Sequence, residues 1–237
     1  MTTIDVVTIF PAMIDAVLSE GVVGRARSRG VVEVKARDLR DYTSDKHRVV
    51  DDMPFGGGPG MVLKPEPLFR AVEEIASERG AADAVVLMTP QGRALSHAEA
   101  LRFSRMSRIV VLCGRYEGVD ERVAETLVTD EISIGDYVVT GGELPALVLV
   151  DAVVRLIPGV VGDESSVEQD SFVSGLLDHP QYTRPAVFRG LAVPDVLSSG
   201  HHGAIDEWRA GQRLARTKAR RPDLLKKFEE SVKEHSS

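Results

Sequence analysis

The sequence predicts an α/β protein with a parallel sheet and helices on both of its faces. Three short apolar segments alternate with segments of helical periodicity, and they are Ala84–Met88, Ile109–Cys113 and Glu131–Ile134. Apolar strands without alternation are typical of parallel sheets that are buried on both faces. Each strand runs directly into a loop that contains Gly or Pro, at Thr89, Gly114 and Gly135. Because ligands of such sheets lie beyond the carboxyl ends of the strands, we expect these three loops to form one ligand site.

Composition excludes several classes of protein. The chain has 237 residues, of which 43% are hydrophobic and 27% are charged, as in an ordinary globular protein with one large or two small domains. Asp151 and Arg155 interrupt the longest apolar run, Leu144–Ile157, so we expect no membrane span. The N-terminus lacks the features of a signal peptide, which favours a cytoplasmic location. The single cysteine, Cys113, excludes an internal disulfide and a Cys-based zinc site.

Charge is unevenly distributed along the chain. The net charge is −7, but Arg209–Lys227 contains eight basic residues and one acidic residue, a local charge of +7 that leaves −14 for the remainder. This distribution indicates either a localised anionic partner or a solvated helix face.

The N-terminal quarter contains two predicted strands, Thr3–Phe10 and Val31–Ala36, and two short helices between them, Pro11–Leu18 and Gly21–Ser28. A long polar segment, Arg37–Gly60, follows without a pattern of regular structure. Segments longer than about 15 residues without regular structure are unusual in compact domains. Its four glycines are consistent with a substrate loop that orders on binding and equally with a simple surface excursion.

Helices are predicted between the later strands. The first is Pro65–Arg79, with Gly80 as its stop signal and an apolar stripe at helical spacing. Ser96 is the predicted N-cap of the next, with Glu99 completing a capping box. A short helix at Val119–Leu127 and the apolar helix Glu143–Ile157 follow.

The stretch Ile132–Pro145 leads from a strand into that apolar helix through Gly135 and the pair Gly141–Gly142. Glycines at such a junction allow backbone groups to approach a ligand closely. The same pattern also occurs in ordinary tight turns, so taken alone it is a weak signal.

The C-terminal part begins with an acidic segment, Pro158–Ser174, which has the composition of an interdomain linker. Helices are predicted at Pro194–Ser199, Ala204–Ala219 and Asp223–Val232. Four arginines of the middle helix lie on one face, and three apolar residues are predicted to pack in a core. The arginines are Arg209, Arg213, Arg216 and Arg220, and the apolar residues are Ile205, Trp208 and Leu214.

Long ordered motifs give the sequence a specific resemblance. They are G-G-G-P-G-M at 56–61, T-P-Q-G at 89–92, C-G-R-Y-E-G-V-D-E-R-V at 113–123, I-G-D-Y-V-V-T-G-G-E-L-P at 134–145, D-S-F at 170–172 and G-L-L-D-H-P-Q-Y-T-R-P at 175–185. Together they resemble the bacterial tRNA (guanine-N1)-methyltransferases, the TrmD family of the SPOUT superfamily. The resemblance covers nearly the whole chain.

This resemblance implies an enzyme that transfers methyl from S-adenosylmethionine to N1 of guanosine-37 in tRNA, which maintains the reading frame. It also implies a deep trefoil knot in the sheet, a feature that general rules of topology would exclude. The expected organisation is a knotted methyltransferase domain at 1–160, a linker at 161–174 and a small helical tRNA-binding domain at 175–237. The family also implies a homodimer in which the linker and second domain of one chain complete the active site of the other.

The resemblance assigns two residues to catalysis. Guanine N1 must lose a proton before it accepts methyl, which demands a base near N1 and a positive group near O6. Asp170 of the D-S-F motif corresponds to the base, and Arg155 to the positive group, which stays charged throughout. Outside the motif context, Asp170 would be a linker carboxylate in solvent and Arg155 a charge at a helix end.

The cofactor residues that the resemblance implies lie mainly in the three loops. They are Thr89, Pro90, Gly92, Gly114, Tyr116, Glu117, Ser133, Ile134, Gly135, Tyr137, Val138, Gly141, Gly142, Pro145 and, from the partner chain, Asp178. Backbone groups would bind the adenine edge, and Ile134, Val138 and Pro145 would form apolar walls. Glu117 and Asp178 are candidates for contact with the cationic amino end of the methionine moiety.

Metal and RNA contacts are also implied. Dependence on Mg²⁺ is implied with Glu117 and Asp170 as candidate ligands, although no metal-binding spacing occurs. His201 and His202 at a helix start favour capping over metal binding. The residues expected to contact the tRNA substrate are Asp51, Gly60, Arg209, Arg213, Arg216 and Lys218.

Two other classes remain as competing hypotheses. A nucleotide- or NAD-binding enzyme lacks support, because neither G-x-G-x-x-G after a strand nor G-x-x-x-x-G-K-[ST] is present. An inert RNA-binding module is disfavoured because both Asp170 and Arg155 are present.

Overall fold

The structure is a computed structural model that describes residues 1–162 and 167–235. The chain divides into two compact units, Met1–Gly162 and Asp163–Ser237, which we call the first and second units. Within the predicted linker 161–174, residues 163–166 lie outside the described residues.

The first unit contains a five-stranded sheet in which every neighbouring pair of strands is parallel. The strands of this unit, in chain order, are β1 Thr2–Thr8, β2 Val32–Asp38, β3 Asp51–Asp52, β4 Val62–Leu63, β5 Ala84–Ala94, β6 Arg108–Cys113 and β7 Asp130–Ser133. The order in the sheet is β2-β1-β6-β5-β7, and β3 and β4 form a separate antiparallel pair. The carboxyl ends of β5, β6 and β7 are therefore neighbours at one edge of the sheet.

Helices cover both faces of this sheet, which confirms the predicted fold class. They are α1 Pro11–Leu18, α2 Gly21–Ser28, α3 Pro65–Arg79, α4 His97–Ser104, α5 Glu121–Thr126 and α6 Glu143–Val154, with a 3-10 helix at Leu39–Tyr42. Side chains of a strand alternate between its faces, so Ile4 and Val6 pack with α1, α2, α4 and α6, whereas Val7 packs with α3 and α5. The two resulting apolar layers hold the strand ends rigidly in place.

Strand β5 is longer than the sequence pattern predicts. The stretch Thr89–Ala94, predicted as a loop, continues the strand, because Arg93 and Ala94 pair again with β7 after a register shift at Met88. A Cβ at Gly92 would lie 2.4 Å from the backbone of Glu131 and Ile132. The loop prediction was therefore wrong here, since a glycine that reads as a turn signal instead permits close strand packing.

Other boundaries differ less. The polar segment 37–60 is not wholly irregular, because it contains the 3-10 helix and β3. Helices α5 and α6 are shorter than predicted, and α6 ends at Val154 instead of Ile157. Ser96 caps α4 as predicted, and its hydroxyl accepts a hydrogen bond from the Glu99 amide. The Glu99 carboxylate instead binds Arg93 and Arg102. The hydrogen bond from the Ser96 amide to Glu99, which would complete the capping box, is therefore absent from the described contacts.

The second unit has little buried side-chain area. Its elements are β8 Val187–Phe188, β9 Leu191–Ala192, a 3-10 helix at Asp195–Ser198, α7 His202–Arg220 and α8 Pro222–His235. Among its described residues, only Leu176, His179 and Thr217 are buried. Trp208 of α7 packs against Tyr182, with ring centroids 6.4 Å apart. Leu214, predicted to be a core residue, is 44% exposed, so that prediction was wrong.

Candidate functional site

A cavity of about 310 Å³ lies beside the register shift of β5 and the carboxyl ends of β6 and β7. Its volume is within the range of small-molecule sites. It is lined by twelve of the fifteen residues predicted to bind a cofactor, and these are Thr89, Pro90, Gly114, Tyr116, Glu117, Ser133, Ile134, Tyr137, Val138, Gly141, Gly142 and Pro145. The structure thus brings together three segments that are far apart in sequence.

Three predicted cofactor residues do not line the cavity. Gly92 lies behind it, pressed against β7. Gly135 has a φ of +147° and is covered by the ring of Tyr137, whose Cε1 would lie 2.6 Å from a Cβ at this position. Asp178 belongs to the second unit. The two glycines therefore shape the loops without lining the cavity.

Other residues line the cavity without having been predicted. They are Leu87, Met88, Gln91, Arg115, Gly118, Val119, Glu121, Ala124, Glu131, Ile132, Val139 and Thr140. Most are immediate neighbours of predicted residues within the same motifs, and that adjacency is the signal that could have indicated them. Glu121 and Ala124 come from α5, whose position depends on tertiary packing.

The Gly141–Gly142 pair fits tightly against the end of β6. The Gly142 amide donates to the Gly114 carbonyl at 2.7 Å. A Cβ on Gly142 would lie 2.7 Å from the Cα of Cys113 and 2.8 Å from the Gly114 nitrogen, distances that only glycine avoids. Main-chain groups of two loops consequently form one wall of the cavity, where they can bind the edge of a planar heterocycle.

The loop after β6 is fixed from the opposite side by the β3–β4 hairpin. The Glu117 amide donates to the Met61 carbonyl, and the Leu63 amide donates to the Gly118 carbonyl, both at 3.0 Å. Gly60 lies against the Glu117 side chain, since a Cβ there would be 2.3 Å from Oε1. The predicted substrate residue Gly60 is thus adjacent to a predicted cofactor residue. Asp51 pairs with Leu63 in the same hairpin.

Tyr116, in the middle of this loop, has a φ of +59°, a left-handed conformation that is uncommon for a residue with a side chain. Backbone outliers of this kind cluster at ligand sites, where the surrounding contacts maintain them. Here the hydrogen bonds to the hairpin provide those contacts.

The lone cysteine has no nucleophilic role in this cavity. Cys113 is fully enclosed in the core, and burial raises the pKa of its thiol well above the usual value. The nearby Glu143 carboxylate raises that pKa further. Because the thiolate is the reactive form, the Cys113 thiol stays inert at neutral pH.

The two predicted catalytic residues lie in different units. Arg155 is the half-buried C-cap of α6, and its amide donates to the Asp151 carbonyl at 3.2 Å. Asp170 is half-buried in the second unit, where its amide donates to the Val167 carbonyl at 3.3 Å. The first unit by itself therefore provides the cavity and Arg155 but lacks the predicted base.

Asp178 and the arginine face of α7 interact within the second unit. An Asp178 carboxylate oxygen lies 3.1 Å from Nη2 of Arg213, which also donates to the Gln169 carbonyl at 2.8 Å. Partial burial raises the pKa of Asp178, but the His179 amide, the Gln181 side chain and the charge of Arg213 together outweigh it. The pKa of Asp178 therefore lies below its usual value.

The remaining predicted RNA contacts lie along the same helix. Arg216 and Arg209 are half-buried, and Nη1 of Arg209 lies 3.5 Å from the Asp206 carboxylate, whereas Lys218 is exposed. His201 caps α7, with Nδ1 accepting from the Ala204 amide at 3.0 Å, which confirms the capping interpretation. Four basic side chains therefore line one stretch of helix in the positively charged part of the sequence.

Within residues 1–162 and 167–235, no group of three or more His, Cys, Asp or Glu side chains is arranged to hold a metal ion. The candidate ligands Glu117 and Asp170 lie in different units. In the same part of the chain, no helix combines the length and the apolar character that crossing a bilayer requires.

Comparisons with known proteins agree on one family. The family model described as tRNA (Guanine-1)-methyltransferase TrmD matches residues 2–227. A tRNA (guanine-N(1)-)-methyltransferase of Staphylococcus carnosus (strain TM300) is 55% identical over 225 residues, which are 95% of this chain and 91% of the relative. A protein of the same name from Staphylococcus aureus (strain MRSA252) is 54% identical with the same coverage.

Proposed function

The chain belongs to the tRNA (guanine-1)-methyltransferase family, and from this premise we propose that it transfers a methyl group from S-adenosylmethionine to N1 of guanosine-37 in tRNA. The observation that carries the proposal is the cavity in which residues 89–91 of β5 converge with the glycine-bearing loops after β6 and β7. Methylation next to the anticodon would maintain the reading frame during translation.

The cavity fits S-adenosylmethionine in its chemistry. The hydrogen bond between the Gly142 amide and the Gly114 carbonyl joins the two loops, and we propose that neighbouring main-chain groups of these loops bind the adenine edge. Ile134, Val138 and Pro145 supply apolar surface beside them. Glu117 provides a carboxylate at the cavity wall for the cationic amino group of the methionine moiety.

When bound, S-adenosylmethionine supplies a methyl group already activated by its sulfonium charge. The main task of the protein is then to hold guanine N1 in line with that methyl. We propose that Asp170 accepts the N1 proton and that Arg155 stabilises the negative charge that develops on O6. A carboxylate is a weak base, so the transfer of the N1 proton to Asp170 depends on the guanidinium stabilising the deprotonated guanine.

A homodimer would bring the missing carboxylates to the cavity. We propose that Asp170 and Asp178 reach each cavity from the second subunit. In support, four apolar side chains on α1 and α6 are 37–53% exposed: Met13, Val17, Leu144 and Val148. These two helices contact each other in the first unit, so their exposed residues form a surface suited to a second copy of this chain.

The finer features of the fold remain part of the proposal. We propose that β5, β6 and β7 with their loops form the trefoil knot typical of the family. The convergence of these three segments at the cavity supports the proposed knot, because a knot would hold them together without a disulfide. We also propose a methyltransferase domain at 1–160, a linker at 161–174, a tRNA-binding domain at 175–237 and a cytoplasmic location.

For the tRNA we propose contacts from both units. Four basic residues of α7 would contact phosphates, and they are Arg209, Arg213, Arg216 and Lys218. They belong to the segment 209–227, whose local charge of +7 favours an anionic partner. Asp51 and Gly60 would face the base, since their hairpin is tied to the cavity loop. The target base must leave the stack of the anticodon loop to expose its Watson–Crick edge.

Within one chain, the described residues include no cluster of carboxylates arranged to hold a Mg²⁺ ion. We therefore assign no step to a metal.

The decisive experiment is methyl transfer to two unmodified tRNA transcripts that differ only at position 37. Methylation of the guanosine-37 transcript, mapped to N1, is expected, and the adenosine-37 transcript should remain unlabelled. A shift of the melting temperature by S-adenosylmethionine and none by NAD would exclude a dinucleotide enzyme. Absence of label from the guanosine-37 transcript would contradict the proposal.

A further inference from the structure

A buried carboxylate adjacent to the cavity has no role in the proposed mechanism. Glu143, the first residue of α6, is 1% exposed. Its Oε1 accepts from the hydroxyl of Thr8 at 2.8 Å, and its Oε2 lies 3.4 Å from Nη1 of Arg115. A buried charge is costly unless it is paired and hydrogen-bonded, so this arrangement indicates a specific function.

The three residues come from three different parts of the sheet edge. Thr8 ends β1, and its hydroxyl also accepts from the amide of Phe10 at 2.9 Å. Arg115 lies in the loop after β6 and Glu143 directly follows the glycine pair. The Arg115 guanidinium also lies over the ring of Phe10, 4.9 Å from its centroid. Arg115 is thus held by a carboxylate on one side and an aromatic face on the other.

Gly141 lies between the two charged groups. A Cβ at this position would be 2.5 Å from Nη1 of Arg115 and 2.5 Å from Oε2 of Glu143. Arg115 and Gly141 also form an isolated antiparallel bridge between the two loops. The separation of the loops that form the cavity wall is therefore set by these side chains together with the main chain.

We propose that Thr8, Glu143 and Arg115 form a positioning network, the Thr8–Glu143–Arg115 bridge, which holds the loops after β6 and β7 at the spacing that S-adenosylmethionine requires. The inference rests on the proposed function for the identity of the ligand. None of the three residues is assigned contact with the transferred methyl group, so the bridge acts through the glycine-bearing loops.

The effect of breaking the bridge follows from its geometry. Without the Thr8 hydroxyl, Oε1 of Glu143 loses its hydrogen-bond donor. A buried oxygen without a donor has a free-energy cost, which falls when Glu143 moves toward water. That movement displaces Gly141 and Gly142, because they directly precede Glu143. Donor binding is weakened as a result, while the side chains of α7 that we propose to contact tRNA phosphates are unaltered.

The test uses Thr8→Val with Thr8→Ser as the rescue variant. We expect Thr8→Val to raise the Kd for S-adenosylmethionine about tenfold, the equivalent of one lost buried hydrogen bond. Thr8→Ser should restore binding to within about twofold of the original, since it keeps the hydroxyl. In ligand-free protein, Thr8→Val should accelerate amide hydrogen exchange at 114–117 and 140–143.

Glu143→Gln gives a second test that preserves side-chain shape, and it should also raise the Kd. Ser104→Ala is the control, because Ser104 is a buried hydroxyl on α4 that bonds only the Leu101 carbonyl among the described contacts. It should lower the melting temperature without changing the Kd. A double variant of Thr8→Val and Glu143→Gln should be no weaker than the worse single variant, as expected for residues acting as one unit.

Two outcomes would overturn the bridge: folded Thr8→Val and Glu143→Gln proteins that bind the donor like the original, or a Ser104→Ala protein with the same loss of binding. If the unaltered protein does not bind S-adenosylmethionine, the proposed function is wrong. In that case the hydrogen-exchange comparison still decides whether the bridge positions the loops.

Discussion

The two units of this chain are built on different principles. In the first unit, buried strands and tightly packed glycines form the cavity, which Gly114, Gly141 and Gly142 line. In the second unit, the described residues include only three buried side chains, and the predicted base and phosphate contacts are half-buried or exposed. The contrast agrees with the division of labour that we propose, in which the cavity binds a small donor and the charged helix α7 contacts a large RNA.

The largest expected effect on the rate of methyl transfer comes from Asp170→Asn in the second unit. Loss of a general base should reduce the rate of methyl transfer about 1,000-fold, because Asn cannot accept the N1 proton. The Kd values for S-adenosylmethionine and for tRNA should change less than about twofold. Single-turnover transfer from a radiolabelled donor and calorimetry measure the two quantities. Asp206→Asn, at an exposed carboxylate on α7, is the matched control, and transfer by Asp170→Asn at the original rate would refute the assignment.

The next largest expected effect is on donor affinity and comes from a substitution in the first unit. Gly142→Ala should raise the Kd for S-adenosylmethionine by about 10- to 100-fold, because the new methyl carbon would lie 2.7 Å from the Cα of Cys113 and must displace the loop. Binding of tRNA should be retained. Gly162→Ala, whose added Cβ would meet no described residue within 4 Å, should leave both affinities unchanged. Equal donor affinity in a folded Gly142→Ala protein would show that the cavity is not preformed.

A smaller effect is expected on the melting temperature, whose pH dependence tests the polar contacts of Asp178 in the second unit. Because the pKa of Asp178 is lowered in the folded chain, its carboxylate stabilises the fold fully above the ordinary value of 3.8. This contribution disappears as pH falls through the lower folded pKa. Asp178→Asn should therefore lower the melting temperature by about 2–4 °C at pH 7, and the difference should vanish in acid. A difference that persists at pH 2 would argue against the ionised pair with Arg213.

The smallest expected effect is stabilising. Gly211 lies inside α7, and in the described part of the chain no atom lies within 4 Å of a Cβ added there. Gly211→Ala should raise the unfolding free energy by about 0.5–1 kcal/mol, through helix propensity alone. Denaturant unfolding measures this change, and donor affinity should not alter. Destabilisation instead would mean that this face of α7 is covered in the assembled protein.

Local pattern was sufficient for the sheet, its helices and the loops that line the cavity, because apolar strands followed by glycine-bearing loops dictate where loops converge. The pattern failed at Gly92, which was predicted to lie in a loop but packs closely against β7. It also failed at Leu214, because helical spacing does not reveal which face of the helix is covered. Thr8 and Glu143 are 135 positions apart, so no local pattern could indicate their hydrogen bond. The motifs gave Asp170 a role only through family resemblance, since its own neighbourhood is an ordinary turn.

The glycine-built wall of the cavity has a consequence for inhibition. A competitive compound that hydrogen-bonds main-chain amides near Gly114 and Gly142 would contact groups that only a change to proline removes. A side chain added at Gly142 would displace the wall itself, because its Cβ would lie 2.7 Å from the Cα of Cys113, so the drug and the natural methyl donor would be affected together. Routes to drug resistance by point mutation are therefore narrower at this wall than at a pocket lined by exchangeable side chains.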